Sequence, residues 1–149
     1  MTDYKELCED VRAYTEGVPH LIANLANASA LLWQRLSEIN WAGFYLMENG
    51  ILVLGPFQGK PACIEIEVGK GVCGTAVERN RTMLVPDVHE FPGHIPCDGA
   101  SRSEIVVPIR KDGKVFGVLD IDSPEPDRFT GEDHTGLEAF VRVLEETLF

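Results

Sequence analysis

The spacing of apolar residues along the chain predicts helices at both ends. Apolar side chains recur at helical spacing across residues 19–37, and a second such stretch runs from residue 131 to about residue 148. Thr130-Gly131-Glu132-Asp133, at the start of the second stretch, matches the capping-box pattern of a helix N-terminus. A short helix is predicted from Gly71 to Asn80, after a glycine-rich turn, and a further helix is expected around Cys8.

Alternating or continuous apolar runs between the helices predict strands and two hairpins. Asn49-Gly50 and Asp112-Gly113 each separate two such runs, and these dipeptides are strong hairpin signals. The predicted strands cover residues 41–48, 51–54, 63–68, 105–110 and 114–121. The pattern therefore predicts an α+β fold, with a central, mostly antiparallel sheet and the N- and C-terminal helices packed on one face.

Length and composition indicate one ordinary globular domain spanning residues 1–149. The polar start of the chain does not resemble a signal peptide, and no apolar run approaches transmembrane length. We therefore expect a cytoplasmic protein without a membrane partner. A net charge of -11 argues against nucleic acid as a partner, because phosphate binding needs a basic surface.

Three cysteines, Cys63, Cys73 and Cys97, lie in segments interrupted by glycine and proline. Cys97 is the most informative, since residues 91–98 place its thiol beside His94 and Asp98 without any periodic pattern that would bury it. Under reducing conditions, a cysteine in this setting is more often chemically active than structural. Cys8, among charged residues, is expected to be incidental.

Four segments around these cysteines together resemble the free methionine-(R)-sulfoxide reductases, which are small enzymes built on a GAF-type domain. The segments span residues 59–63, 69–74, 87–98 and 103–108. The resemblance extends over about residues 40–129. A GAF fold alone says little about function, because most such domains only bind ligands. The matching spacing of three cysteines is the more specific feature.

The resemblance implies a thiol-based reaction. Cys97 is implied as the nucleophile that attacks the sulfoxide sulfur, in an exposed loop where His94 would favour the thiolate. Cys63 is implied as the main partner that resolves the resulting sulfenic acid to a disulfide, with Cys73 as a backup or relay. An equally good interpretation of Cys73 is a small buried structural residue. A thioredoxin-like dithiol would restore the enzyme, and no metal or organic cofactor is implied.

Carboxylates are expected to supply the acid and the substrate-binding charge. Residues 116, 118, 120 and 122 alternate with their neighbours on one predicted strand, so Asp120 and Asp122 share a face. The resemblance implies that Glu104 joins them, with Glu104 or Asp122 as the proton donor. A plain two-residue turn would oppose Glu104 to Ile121 on the wrong face. We therefore predict a bulge at Gly113 that opposes Glu104 to Asp120.

Trp41 and Tyr45 lie four residues apart on a predicted strand, so both side chains emerge on one face with Gly43 between them. This arrangement suggests a slot for a methyl-sulfinyl group, and the resemblance likewise implies that the rings surround the substrate methyl. By spacing alone, ordinary core packing explains both rings.

Three other interpretations stay open at this point. A GAF domain without catalysis would bind a small ligand, and a thiol protein would sense hydroperoxide. A metal site from the three cysteines with His89 or His94 is disfavoured, because no Cys-x-x-Cys spacing appears. Homodimerisation is a further expectation from the family resemblance.

Overall fold

The computed structural model describes residues 2–94 and 99–149 as an α+β domain. The helices are α1 Tyr4–Thr15, α2 Leu21–Arg35, α3 Gly71–Arg79 and α4 Gly131–Leu148. The strands are β1 Trp41–Glu48, β2 Ile51–Gly59, β3 Glu65–Glu67, β4 Met83–Val85, β5 Ser103–Lys111 and β6 Lys114–Ser123. Among the described helices, none has the length and apolar character needed to cross a membrane.

Most predicted elements are confirmed, and the differences occur in short segments. The capping box is present, with the Thr130 hydroxyl accepting from the Asp133 amide and the Asp133 carboxylate accepting from the Thr130 amide. The strand predicted over 63–68 is limited to β3, and β2 extends five residues beyond the prediction, to Gly59. Strand β4 and a 3₁₀ turn over Val88–Glu90 were not predicted, because three-residue elements carry too little periodicity.

The strands of the described chain form one antiparallel sheet in the order β3-β2-β1-β6-β5-β4. Two-residue turns close both predicted hairpins, because Glu48 pairs with Ile51 and Lys111 with Lys114. Each turn has positive φ at both central positions, namely 52° and 85° at Asn49-Gly50 and 53° and 77° at Asp112-Gly113. Asparagine, aspartate and glycine adopt this backbone most readily, which is why the sequence located both hairpins.

Helices cover both faces of the sheet, and this separates two cores. On one face α1, α2 and α4 pack around residues such as Phe44, Ile105 and Leu119, as the fold prediction required. On the other face α3 packs near Tyr45 and Val118. Ile22 in α2, one of the apolar residues at helical spacing within 19–37, is nevertheless 62% exposed.

The β5–β6 register corrects our prediction. Glu104 lies opposite Asp122, not Asp120, and Asp120 lies opposite Val106. Gly113 belongs to a plain two-residue turn, and the register shift lies farther along, where Ile109 pairs with Gly117 but Arg110 pairs with Val115. The extra residue is Phe116, which packs with the helical core rather than beside Val118 and Asp120 as its spacing suggested. The expected shared face of Glu104, Asp120 and Asp122 nevertheless holds.

Candidate active site

A cavity lies between the sheet and the first turn of α3. Strand β1 contributes Trp41 and Tyr45, β5 contributes Glu104, and β6 contributes Asp120 and Asp122. The remaining wall includes Ala62 and Ile66 near β3, Lys70 and Cys73 at the start of α3, His94, and Ser101. The cavity therefore combines acidic, aromatic and thiol groups from distant parts of the chain.

Two of the three acidic residues lie deep in this cavity. Glu104 is 8% exposed and Asp120 is 5% exposed, whereas Asp122 is only partly buried. The negative charges of both aspartates act on Glu104. Because buried like charges resist joint ionisation, this cluster favours holding a proton.

The electrostatics indicate where this proton is held. Burial, and then the negative charges of Asp120 and Asp122, raise the pKa of the Glu104 carboxyl well above its usual range. Burial also raises the pKa of Asp120, although its polar contacts with Glu104, Asp122 and Cys73 oppose that rise. Glu104 is consequently the better proton carrier of these two buried residues.

Cys73 is a free, buried thiol at the base of the same cavity. Burial, and then the charges of Asp120 and Glu104, raise the pKa of its thiol well above the usual range. The thiol is therefore protonated at neutral pH, and it lies beside the Asp120 carboxyl group. A protonated, buried thiol is a poor nucleophile. This setting agrees better with a structural or hydrogen-bonding role for Cys73 than with attack on a substrate.

The two aromatic residues line the cavity, and their polar atoms contact the loop that carries Cys63. Each ring is 2% exposed, and the ring centroids are 5.9 Å apart. Trp41 Nε1 donates to the Lys60 carbonyl at 3.1 Å, and the Tyr45 hydroxyl donates to the Cys63 carbonyl at 2.7 Å. Burial, and then the charge of Asp120, raise the pKa of Tyr45, so its hydroxyl remains a donor.

Gly43 does not form the slot that the sequence suggested between the two rings. A Cβ atom at position 43 would lie 2.2 Å from Phe57 Cβ, so the space is already filled by β2. Phe57 stacks on Trp41 with ring centroids 5.0 Å apart and planes 14° apart. The glycine is required for this close approach of β2 and leaves no gap for a ligand.

Comparisons with known proteins agree with this geometry. The model of the GAF domain matches residues 15–148. The chain is 56% identical over 145 residues to the free methionine-R-sulfoxide reductase of Escherichia coli K12, covering 97% of this chain and 88% of the relative. This chain belongs to the free methionine-R-sulfoxide reductase family of GAF-domain oxidoreductases.

Solved structures of the family superpose closely on this chain. The reduced form of fRMsr of Staphylococcus aureus has a TM-score of 0.97 at 55% identity, covering 100% of this chain and 97% of the other. The free methionine-R-sulfoxide reductase from Neisseria meningitidis, solved in complex with its substrate, has a TM-score of 0.94 at 40% identity, covering 97% and 87%. The fold prediction and the family resemblance are thus confirmed.

The cysteines expected from the family resemblance differ in their state. Cys63 is half-buried and disulfide-bonded, whereas Cys8 and Cys73 are free thiols. Cys97, the expected nucleophile, lies outside the described residues, as does Asp98. The roles of Cys97, Cys63 and Cys73 therefore remain predictions.

Two further findings concern residues near the cavity. Burial, and then the charge of His89, lower the pKa of His94, so its imidazole is neutral near pH 7 and does not supply the positive charge expected beside Cys97. Lys70 and Gly71 line the cavity at the N-terminus of α3, and the sequence analysis assigned them no role. The Gly-Lys-Gly segment before the predicted helix indicates an anion-binding position, because helix N-termini attract anions.

Proposed function

We propose that this chain reduces free L-methionine-(R)-S-oxide to L-methionine, with residues 1–149 acting as one catalytic domain. The observation that carries the proposal is the acidic cluster of Glu104, Asp120 and Asp122 beside an aromatic wall, with Glu104 buried and its pKa raised. Such a cluster can hold a proton at neutral pH for the sulfoxide oxygen, which is a weak base. The relatives and neighbours described above are named for this reaction, or crystallised with its substrate.

In the first step, the Cys97 thiolate attacks the sulfoxide sulfur. Glu104 or Asp122 protonates the oxygen, and the raised pKa of Glu104 makes it the stronger candidate. The sulfoxide sulfur gains two electrons and leaves as the thioether of methionine, while Cys97 is oxidised to a sulfenic acid. The neutral imidazole of His94 is suited to accept the thiol proton.

In the second step, the Cys63 thiol attacks the Cys97 sulfenic acid, forms a disulfide and expels water. That Cys63 is the disulfide-bonded one of the described cysteines supports this pairing. Cys73 is the alternative partner, and its burial and high pKa argue against it. A thioredoxin-like dithiol then reduces the disulfide, which places the cycle in a reducing compartment, the cytoplasm.

The charges around the cavity fit a free amino acid. An ionised carboxylate in the cluster suits the ammonium group, and Lys70 with the N-terminus of α3 suits the carboxylate on another side of the cavity. A methionine sulfoxide residue within a peptide carries neither charge. The rings of Trp41 and Tyr45 provide the apolar surface for the methyl group. Homodimerisation, expected from the resemblance, is a further part of the proposal.

The decisive experiment measures methionine released from the free R-sulfoxide, with dithiothreitol or thioredoxin as reductant. We expect wild type and Cys8→Ser to turn over repeatedly, because Cys8 lies away from the cavity. Cys97→Ser should be inactive, and Cys63→Ser should release about one methionine per chain without thioredoxin-dependent turnover. Activity that survives Cys97→Ser refutes the assigned nucleophile. Absence of methionine release by the wild type, with ligand binding retained, would favour a binding domain instead.

A further inference from the structure

One group of side chains in the cavity has the composition of a metal-binding site. Cys73 Sγ and carboxylate oxygens of Glu104 and Asp120 lie within 4.8 Å of one another. All three side chains are buried, and α3, β5 and β6 hold them in place. One sulfur and two carboxylate oxygens suit a borderline-soft divalent cation such as Zn²⁺ better than Mg²⁺ or Ca²⁺.

A second observation points to a ligand at the same place. Asp120 Oδ1 is fully buried and has no hydrogen-bond partner among the described residues, although Asp120 lines the cavity. A buried, unpartnered carboxylate oxygen costs free energy unless a cation or donor satisfies it. A metal ion between Asp120, Glu104 and Cys73 would satisfy it directly.

We propose that Cys73, Glu104 and Asp120 form an inhibitory binding site for Zn²⁺ or a similar divalent cation, which excludes the sulfoxide from the cavity. We call the site regulatory because a metal bound there would occupy Glu104 and Asp120, the carboxyl groups that are proposed to hold the proton for the sulfoxide. The binding stands on the geometry alone, whereas the inhibition rests on the function proposed above.

The geometry leaves room for substrate competition. In tetrahedral zinc sites the metal lies about 2.0–2.3 Å from each ligand, so neighbouring donor atoms are about 3.5 Å apart. The present group, with its atoms within 4.8 Å of one another, would have to contract to that spacing. Three protein ligands leave a fourth position for water or another ligand. A metal there would bind Glu104, the residue proposed to protonate the sulfoxide, and so would compete with the substrate.

Binding must release protons, because the metal takes thiolate and carboxylate forms. The Cys73 thiol must lose its proton to bind the metal, so we expect proton release on Zn²⁺ binding and tighter binding as pH rises. Within residues 2–94 and 99–149, the other titratable or charged groups that line the cavity are Tyr45 on β1, Asp122 on β6, Lys70 before α3, and His94.

This site escaped sequence analysis because its residues come from three separate elements. Positions 73, 104 and 120 have no characteristic spacing, and the metal site considered from the sequence combined Cys73 with Cys63, Cys97 and a histidine rather than with carboxylates. Only the β5–β6 register, together with the packing of α3 on the sheet, brings these side chains together.

The test measures metal binding directly, on reduced, chelator-treated protein without substrate. Cobalt(II) should give a near-ultraviolet sulfur-to-metal charge-transfer band at one equivalent, and Zn²⁺ should displace it. Calorimetry in buffers of different ionisation enthalpy counts the released protons. Cys73→Ser should lose the band, and both Cys73→Ser and Glu104→Gln should weaken Zn²⁺ binding more than about tenfold. Cys63→Ser and Cys8→Ser are the matched controls and should retain the band and the wild-type affinity.

The outcomes separate this proposal from the proposed function. The site is overturned if the cobalt charge-transfer band survives in Cys73→Ser. It is also overturned if Cys63→Ser weakens Zn²⁺ binding as much as Cys73→Ser does. If the site is correct, Zn²⁺ inhibits methionine formation competitively with the free R-sulfoxide. Noncompetitive inhibition, or none, overturns the regulatory role. A protein that binds Zn²⁺ as described but reduces no sulfoxide would refute only the reductase function.

Discussion

Glu104 on β5 lies directly opposite Asp122 on β6, and this pairing joins two segments of the chain into one acidic cluster. Opposite residues of an antiparallel pair project from the same face of the sheet. Asp120, two residues before Asp122, therefore projects from that face as well, toward α3. Like charges held so closely cannot all be ionised, which leads to the first prediction.

Replacing Glu104 with glutamine should flatten the pH dependence of stability. The pKa of Glu104 is higher in the folded state than the value of about 4.3 in an unfolded chain. The folded state thus holds more protons than the unfolded state between these two values, and stability falls as pH rises from about 4.3 through the folded pKa. Each unit of difference corresponds to about 1.4 kcal/mol.

Urea unfolding of wild type and Glu104→Gln between pH 4 and pH 8 would measure this effect. Glu48→Gln is the matched control, because Glu48 is exposed at the end of β1 and its substitution should leave the wild-type profile unchanged. If the free energy of unfolding changes with pH in parallel for wild type and Glu104→Gln, the buried, proton-holding role of Glu104 is contradicted.

Removing the Tyr45 hydroxyl should slow disulfide formation more than sulfoxide reduction. The hydroxyl donates to the Cys63 carbonyl at 2.7 Å and fixes the loop that carries the resolving cysteine. Loss of a buried hydrogen bond costs about 1 kcal/mol, so the rate of resolution relative to reduction should fall about fivefold in Tyr45→Phe. Single-turnover quench experiments can follow methionine by chromatography and trap the sulfenic acid by its reaction with dimedone.

Tyr14→Phe provides the control, since Tyr14 is 55% exposed on α1. Sulfenic acid should accumulate in Tyr45→Phe but not in Tyr14→Phe. If Tyr45→Phe slows both steps equally, the hydroxyl does not act through the Cys63 loop.

Introducing a methyl group at Gly43 should destabilise the fold. The new Cβ would lie 2.2 Å from Phe57 Cβ and 2.6 Å from its Cα, so β2 would have to move away from β1. Overpacking of this kind costs about 1–3 kcal/mol, and the stacking of Phe57 on Trp41 would loosen as well. Gly131→Ala is the matched control, because a Cβ at Gly131 meets open space. Equal urea midpoints for the two variants would show that β2 yields without cost.

The sequence by itself determined the elements that depend on local chemistry. Helical periodicity located α2 and α4, the capping residues located the start of α4, and Asn49-Gly50 and Asp112-Gly113 located the hairpins. These features are predictable because each depends on residues a few positions apart. The family resemblance was carried by short motifs in the same way, and the comparisons confirmed it.

Tertiary structure alone decided how these elements form the site. The bulge at Phe116, rather than one at Gly113, set Glu104 opposite Asp122, since the choice depends on which residues the two cores accept. The packing of Phe57 over Gly43 and the burial of Cys73 against Asp120 likewise join residues far apart in the chain. Such contacts leave no periodic trace in the sequence, because their energy depends on the surface that the rest of the fold presents.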